Sequence, residues 1–302
     1  MKTTFGLSNL SRELHNTVVV IGVFDGLHRG HRYLINKAAA AAKKLHASAV
    51  CITFDPHPKG EPYLISLKHR LRLIEAMGID YCVVITFNTR FAAMPAESFV
   101  KDILVKRFHP QAVFVGSQFR FGYRAQGDAA LLASLGEDYG FKGVGIKELH
   151  ISGQKASSRH IRDLIRTGKL SQAKKLLGRD VSVLGTVIRG KQRGRILGYP
   201  TANINPHHEV LPQEGVYAVK VMYKCKVYKG VCNIGYRPTF GSSDENKTVE
   251  VHMCAFSKEI YGEDIEINFI RKIRDEKKFS SSEALRLQIK KDQQKALQYL
   301  SS

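Results

Sequence analysis

Residues 19–31 read VVIGVFDGLHRGH, which sets Gly22, Asp25, Gly26, His28, Gly30 and His31 between an apolar run and an Ala-rich stretch at helical spacing. A strand-to-helix turn of this kind offers backbone N–H groups and the positive end of a helix dipole, and both favour a polyphosphate. Glycines let the backbone approach phosphate oxygens. Two histidines three apart reach the same side of the turn, where they stabilise charge developing on a transferring phosphoryl group. Neither a nucleophile nor a P-loop lysine is needed for such chemistry. On the residues alone, a Gly-rich turn with two surface histidines competes with this reading. The apolar Val18–Ile21 run before the turn and the helix expected over 34–45 after it favour nucleotide handling.

Other segments carry groups of the same kind. TFDPHP (53–58) ends an apolar strand, and its prolines hold His57 at the strand's C-terminal edge, where open α/β sheets bind ligands. In RGKQRGRILGYPTAN (189–203), Gly190, Gly194 and Gly198 make a basic loop able to approach phosphates. Thr201 and Asn203 follow with hard oxygen donors suited to Mg²⁺. No GKS or GKT closes this loop, so it is not a Walker loop. Taken by itself, a basic Gly-rich hairpin is the competing reading.

The elements that must position these groups fall into two patterns. Strand-like runs at 18–23, 49–54, 81–87 and 112–116 alternate with helical patterns near 34–45, 67–77, 96–107 and 128–139. That alternation predicts a parallel sheet covered by helices, an α/β domain. Two more helices are expected over 158–167 and 171–177. From Val181 onward, short β-branched runs separated by Gly, Pro and Asn turns predict a small antiparallel β-barrel. A C-terminal helix over 282–300 follows, with Leu285, Ile289 and Leu297 on its apolar side. The boundary is expected near Gly178, giving domains 1–178 and 179–302.

Composition sets limits on all of this. The chain has 302 residues, 43% of them hydrophobic, enough to bury two cores. No apolar run reaches a membrane span and the first 17 residues are mostly polar, so no membrane partner and a cytoplasmic location are expected. The five cysteines are scattered without a CxxC pair, which points to free thiols rather than disulfides or a zinc site. The formal net charge is +20, of which +7 lies in 179–302 and the rest before it. Such an excess attracts anions. No aromatic-interleaved basic stripe accompanies it, so a solvated basic surface is preferred over specific nucleic-acid binding, and self-association stays open.

The first motif resembles the HxGH signature of nucleotidylyltransferases, and GVFDGLHRGH is similar to the form carried by prokaryotic bifunctional riboflavin kinase/FAD synthetases; the resemblance runs from about Val18 to Ala296. It implies a Rossmann-like nucleotidylyltransferase domain followed by a six-stranded riboflavin kinase barrel. The substrates would be ATP, riboflavin and FMN, with Mg²⁺ as cofactor. TFDPHP matches the family's TFxPHP, which implies His57 near the nucleotide. ASSRHIR (156–162) is similar to ISSTxIR, which implies that Ser158 and Arg162 clamp the triphosphate, with a Ser cap and a surface arginine as the plain alternative. GRILGYPTAN matches the kinase element. Glu250, in TVEVHMCAF, matches the catalytic glutamate, and Arg274 is expected near the flavin; a solvent-facing Glu250, or one paired with Arg237 or Arg274, is the alternative. Departures stand at Gln118 for Asp or Asn, at Arg159 for Thr, and at Ala255 for Asp, with milder changes at Glu259 and Ile260. Gln118 and Arg159 motivate a second reading, a riboflavin kinase whose adenylyltransferase half is degenerate. A flavin-sensing RNA-binding protein ranks a distant third.

Overall fold

A computed structural model describes residues 1–10, 13–61, 63–190, 198–207, 209–236 and 247–301. The chain divides into two compact units, one of Met1–Tyr63 with Leu67–Ser158, the other of Leu64–Ser66 with Arg159–Ser302.

The first unit is a six-stranded, all-parallel sheet in the order β1-β4-β3-β2-β5-β6. Its strands are β1 (Lys2–Phe5), β2 (Thr17–Ile21), β3 (Ser48–Asp55), β4 (Tyr81–Thr86), β5 (Pro110–Gly116) and β6 (Lys142–Ile146). Every residue of β2 (TVVVI) is buried, as expected of a central strand covered on both faces. The chain runs outward from β2 through β3 and β4, then returns to β5 on β2's other side. A crevice therefore opens at the C-terminal ends of β2 and β5.

The covering helices are α1 (Arg29–Lys44), α2 (Leu67–Glu75), α3 (Thr89–Ala92), α4 (Ala96–Ser98), α5 (Lys106–Phe108) and α6 (Ala129–Tyr139). The helix expected over 96–107 is broken by a π-helical stretch, Phe99–Val105, which turns Phe99, Val100, Ile103 and Leu104 into the core. Sequence periodicity missed two strands of this sheet. β6 reads KGVGI, because α6 packs so near that a Cβ on Gly143 would lie 2.6 Å from the Ala133 backbone. β1 is a four-residue edge strand with a mixed pattern. A two-residue hairpin, β7 (His150–Ile151) with β8 (Gln154–Lys155), closes this unit.

The second unit opens with α7 (Ser158–Arg166) and α8 (Leu170–Leu177), the first residue of α7 being the last of the first unit. A closed antiparallel barrel follows in the order β10-β13-β12-β11-β14-β9. Its strands are β9 (Val181–Ile188), β10 (Ala202–Asn205), β11 (Gly215–Tyr223), β12 (Lys226–Tyr236), β13 (Lys247–Met253) and β14 (Asp264–Arg274). The helix α9 (Ser282–Ser301) packs on the barrel through Ala296 and Leu300, against Val216, Ala218 and Ile273. Its buried residues are Asp292, Ala296 and Leu300; Leu285 and Ile289, expected on the apolar side, continue that face at helical spacing and are half-buried, while Leu297 stands at its edge. Asp292 is buried there in an ion pair, described below.

Candidate functional site

In the first unit, the C-terminal ends of β2, β3, β5 and β6 frame a cavity of about 720 Å³, a size usual for small-molecule sites. Gly22, His28, Gly30, His31, His57 and Ser158 all line it. The turn leading into α1 is tightly wound, with positive φ at Phe24 (53°), Gly26 (74°) and Leu27 (42°). Phe24 folds back into the core, and a Cβ on Gly22 would lie 2.8 Å from its ring. Gly22 is therefore small for packing reasons as well as for any phosphate. Asp25 is buried in the same turn, and its carbonyl accepts a 2.8 Å hydrogen bond from the Ser158 hydroxyl, tying the start of α7 to the turn.

His28 caps α1, its Nδ1 accepting from the His31 backbone N–H at 3.3 Å. An accepting Nδ1 places the proton of the neutral ring on Nε2. The His28 and His31 rings stack with centroids 3.6 Å apart, and a Cβ on Gly30 would lie 3.2 Å from the His28 ring. Burial lowers the His28 pKa to about 4. His31 is held well below its ordinary value by burial first, then by the charges of His28 and Arg70, against a hydrogen bond to the Asp25 backbone. Both rings are therefore neutral at pH 7. The His31 Nδ1 is buried without a hydrogen-bond partner among the described residues. Polyphosphate entering the cavity would meet N–H dipoles, and its own charge would draw the imidazoles toward protonation.

Sequence reasoning missed Arg70. It lies in the first half of α2 and is fully buried. Its guanidinium donates to the Val23 carbonyl at 2.8 Å and the Phe54 carbonyl at 3.0 Å, stands 3.8 Å from the Asp55 carboxylate, and stacks on the Tyr63 ring at 4.4 Å. Arg70 thus joins the chain ends that follow β2 and close β3, the two walls from which the histidines project. An arginine inside a short amphipathic helix looks like a surface residue in the sequence, so no local signal marks it. His57 lies just beyond β3, its Nδ1 accepting from the Lys59 N–H at 3.1 Å and its ring 5.2 Å from that of Tyr63.

Gln118, where the family has Asp or Asn, lines the cavity. Arg162 is buried on α7 and belongs to the second unit, while Arg159 is exposed.

In the barrel, strand register brings three polar residues into one row. Glu250 on β13 pairs with Asn203 on β10 at one side and with Asn233 on β12 at the other. Directly paired residues share a face, so the carboxylate stands between two amides. All three are half-buried, while their neighbours Val249, Val251, Cys232 and Ile204 point into the barrel core. Burial and the nearby Glu250 charge push the Cys232 thiol far above its usual range. Gly190 lies against Asn203, and a Cβ there would collide with the amide. Gly198 has φ 81°, a conformation that favours glycine. The Pro200 carbonyl is held by His252 Nδ1 at 2.8 Å, which fixes the chain just before Thr201. Gly194 lies outside the described residues, as does Arg237.

Arg274, expected near the flavin, lies at the end of β14 and is paired with α9. Its guanidinium makes a forked pair with the buried Asp292 carboxylate on α9 at 2.8–3.1 Å and donates to the Asp275 carbonyl. Neither Glu250 nor solvent holds it.

A parallel sheet with stacked histidines at its switch point, followed by a closed barrel carrying a carboxylate between two amides, defines a two-unit nucleotide-handling transferase. Family models agree, with riboflavin kinase matching residues 177–300 and FAD synthetase matching residues 10–160. Curated relatives span the whole chain. A bifunctional riboflavin kinase/FMN adenylyltransferase from Buchnera aphidicola subsp. Schizaphis graminum is 38% identical over 97% of this chain and 96% of its own. One of the same name from Escherichia coli (strain K12) is 35% identical over 99% and 98%. The chain belongs to the bifunctional riboflavin kinase/FMN adenylyltransferase family.

A crystal structure titled as a macrolide-efflux protein from Streptococcus pneumoniae superposes with a TM-score of 0.82 at 29% identity, covering 97% of this chain and 98% of that one. Among the described residues of the present chain, no helix is long and apolar enough to cross a membrane.

Proposed function

We propose that this enzyme phosphorylates riboflavin with ATP to FMN and adenylylates FMN with a second ATP to FAD, the first step in 179–302 and the second in 1–178. The observation that carries the assignment is the presence of two polar sites, the histidine cavity within the FAD synthetase match and the Asn203–Glu250–Asn233 row within the riboflavin kinase match.

In the barrel, Glu250 acts as general base. Its carboxylate takes the proton of the riboflavin 5′-hydroxyl as that oxygen attacks the γ-phosphorus of ATP and ADP leaves. Asn203 and Asn233, paired on either side, orient the carboxylate and the incoming hydroxyl. Gly190 and Gly198, with Gly194, let the chain lie close to the phosphates. Thr201 and Asn203 are two residues apart beside a glycine that leaves room at the amide, an all-oxygen donor set that fits Mg²⁺. Bound there, Mg²⁺ would neutralise charge on the β- and γ-phosphates. Arg274 fixes α9 through Asp292.

In the α/β unit, an oxygen of the FMN phosphate attacks the α-phosphorus of ATP and pyrophosphate leaves. The Nε2–H of His28 and the imidazole of His31 hydrogen-bond the phosphates and gain charge as the transition state forms. Gly22 and Asp25 shape the turn. Ser158 braces the turn through the Asp25 carbonyl and His57 borders the nucleotide, while Arg162 is the triphosphate-clamping cation that the family resemblance implies. No side chain needs to act as nucleophile, so catalysis here is positioning and electrostatics. A cytoplasmic setting, where ATP is abundant, agrees with five free cysteines.

Two variants test the division of labour. Glu250→Gln should abolish FMN formation while leaving conversion of supplied FMN to FAD intact. His31→Ala should do the reverse, and loss of both activities in either variant would contradict the two-site assignment.

A further inference from the structure

We infer that the first unit carries a binding site for a divalent transition metal of the zinc class, formed by Glu13, His15 and His109 at the end of the sheet away from the nucleotide cavity. Among the described residues these three form the one cluster of metal-donor side chains, with their ligand atoms all within 4.8 Å of one another. The His15 and His109 rings lie 4.2 Å apart between centroids, and the Glu13 Oε2 stands 3.9 Å from the His109 Nε2.

The second ring nitrogen of His109 supplies an independent argument. Its Nδ1 lies 3.4 Å from the Leu14 carbonyl, which can only accept, so in the neutral ring this contact takes the tautomer with the proton on Nδ1 and leaves Nε2, 3.9 Å from Glu13, as the nitrogen open to a metal. Histidine ligands are commonly oriented in this way, with the non-ligating nitrogen donating to a backbone carbonyl.

The backbone under the cluster is fixed. Leu14 N–H donates to the Arg107 carbonyl at 2.9 Å, and the Thr17 hydroxyl donates to the Phe108 carbonyl at 2.7 Å. His109 itself caps α5 at φ 40°, ψ 61°, a left-handed conformation that histidine adopts more readily than most residues. These bonds lock the segment leading into β2 against the segment leading into β5, so the ligand-bearing backbones need not move. Ligands of a tetrahedral zinc ion with bonds of about 2.0–2.2 Å stand roughly 3.4 Å apart. Closing the cluster from its present spacing therefore takes about 1 Å of motion by three exposed side chains.

Two imidazoles and one carboxylate select Zn²⁺, Co²⁺ or Ni²⁺ over Mg²⁺, which prefers oxygen donors. Water would complete the coordination, since three protein ligands leave one position open. β2 is five residues long, so the metal would lie about 16 Å from the nucleotide cavity, along a strand rising roughly 3.3 Å per residue. It would act as a clamp between the entries to β2 and β5 and take no part in catalysis.

Titration of the purified full-length protein with Co²⁺ and with Zn²⁺ tests this. One equivalent of Co²⁺ should give the intense d–d absorption of four- or five-coordinate cobalt, displaced by Zn²⁺. His15→Ala and His109→Asn, the latter keeping a residue that tolerates positive φ, should each weaken Zn²⁺ binding by at least about tenfold. Zn²⁺ should raise the melting temperature of the wild type, with no shift in either variant, and FMN formation should be unchanged. Glu13→Gln serves as the third variant should either histidine variant fold poorly. A six-coordinate cobalt spectrum, or equal Zn²⁺ affinity in wild type and all the variants, would overturn the site.

Discussion

Removing the Asp292 carboxylate should loosen the C-terminal helix from the barrel. Asp292 accepts from Arg274 Nε at 3.0 and 3.1 Å and from Nη2 at 2.8 Å, and Gln288 donates to it at 2.8 Å. Its side chain is 4% exposed and that of Arg274 15%. Truncation to alanine leaves a guanidinium with little solvent and no counterion, a change that costs about 3–5 kcal/mol. For a unit of this size each kcal/mol corresponds to roughly 2–4 °C, so the transition of the second unit should fall by about 10 °C. Differential scanning calorimetry reads the shift. Hydrogen exchange over 282–301 should accelerate with it, because α9 loses its central anchor. Arg274→Met with Asp292→Leu should recover most of the loss, since it removes both charges together. A shift of less than 2 °C for Asp292→Ala would refute the claim that this pair anchors the helix. A large rise in the KM for riboflavin, with no loss of stability, would return Arg274 to the flavin.

Acid should destabilise the first unit through the stacked histidines. The folded pKa of His28, about 4, lies below the unfolded value of 6.5. As pH falls through 6.5 the unfolded chain takes up the proton first, so stability is complete above 6.5 and declines toward pH 4. A shift of this size is worth about 3 kcal/mol. Denaturant titrations of wild type and His28→Asn at pH 7 and pH 4.5 should show a smaller pH dependence in the variant; identical dependence would remove His28 as the cause. Glu250→Gln should lower the kcat for FMN formation by about 10²–10⁴-fold, and stopped-flow measurement of ADP release within tenfold of wild type would exclude it as base. Gly122 has φ 76° and a Cβ there would lie 2.6 Å from the Ala96 backbone, so Gly122→Ala should distort the cavity wall and depress FAD formation, with FMN formation as the internal control. Replacing Gln118 by Asn together with Arg159 by Thr should change the FAD-forming rate by no more than a few-fold, and a large gain would show that the native residues had weakened the first unit.

Much of the fold could be read from the sequence because burial writes itself into periodicity. TVVVI and SAVCITFD are central strands with continuous apolar runs, and the Ala-rich α1 follows the histidine turn at helical spacing. Where close packing replaced side-chain size, the pattern vanished. β6 is glycine-rich because α6 approaches it, and β10 (ANIN) begins within the PTAN motif, where its two asparagines mask a strand. On the terminal helix, Leu285 and Ile289 marked the buried face, but Asp292 at its centre is held by a charge pair and gives no apolar signal. The site followed the same division. HxGH and PTAN are local in sequence and legible there, and Glu250 was found by resemblance. The pairing of Glu250 with both Asn203 and Asn233 required strand register. Arg70 required the third dimension altogether, since its partners Val23 and Phe54 come from two other strand ends.

The most direct test is chromatographic product analysis of the purified protein with Mg²⁺ and ATP, supplied in parallel with riboflavin or with FMN. The account predicts FAD from both substrates, with FMN as an intermediate in the first. FMN from riboflavin but no FAD from FMN would contradict it, leaving a riboflavin kinase whose histidine site no longer transfers adenylate.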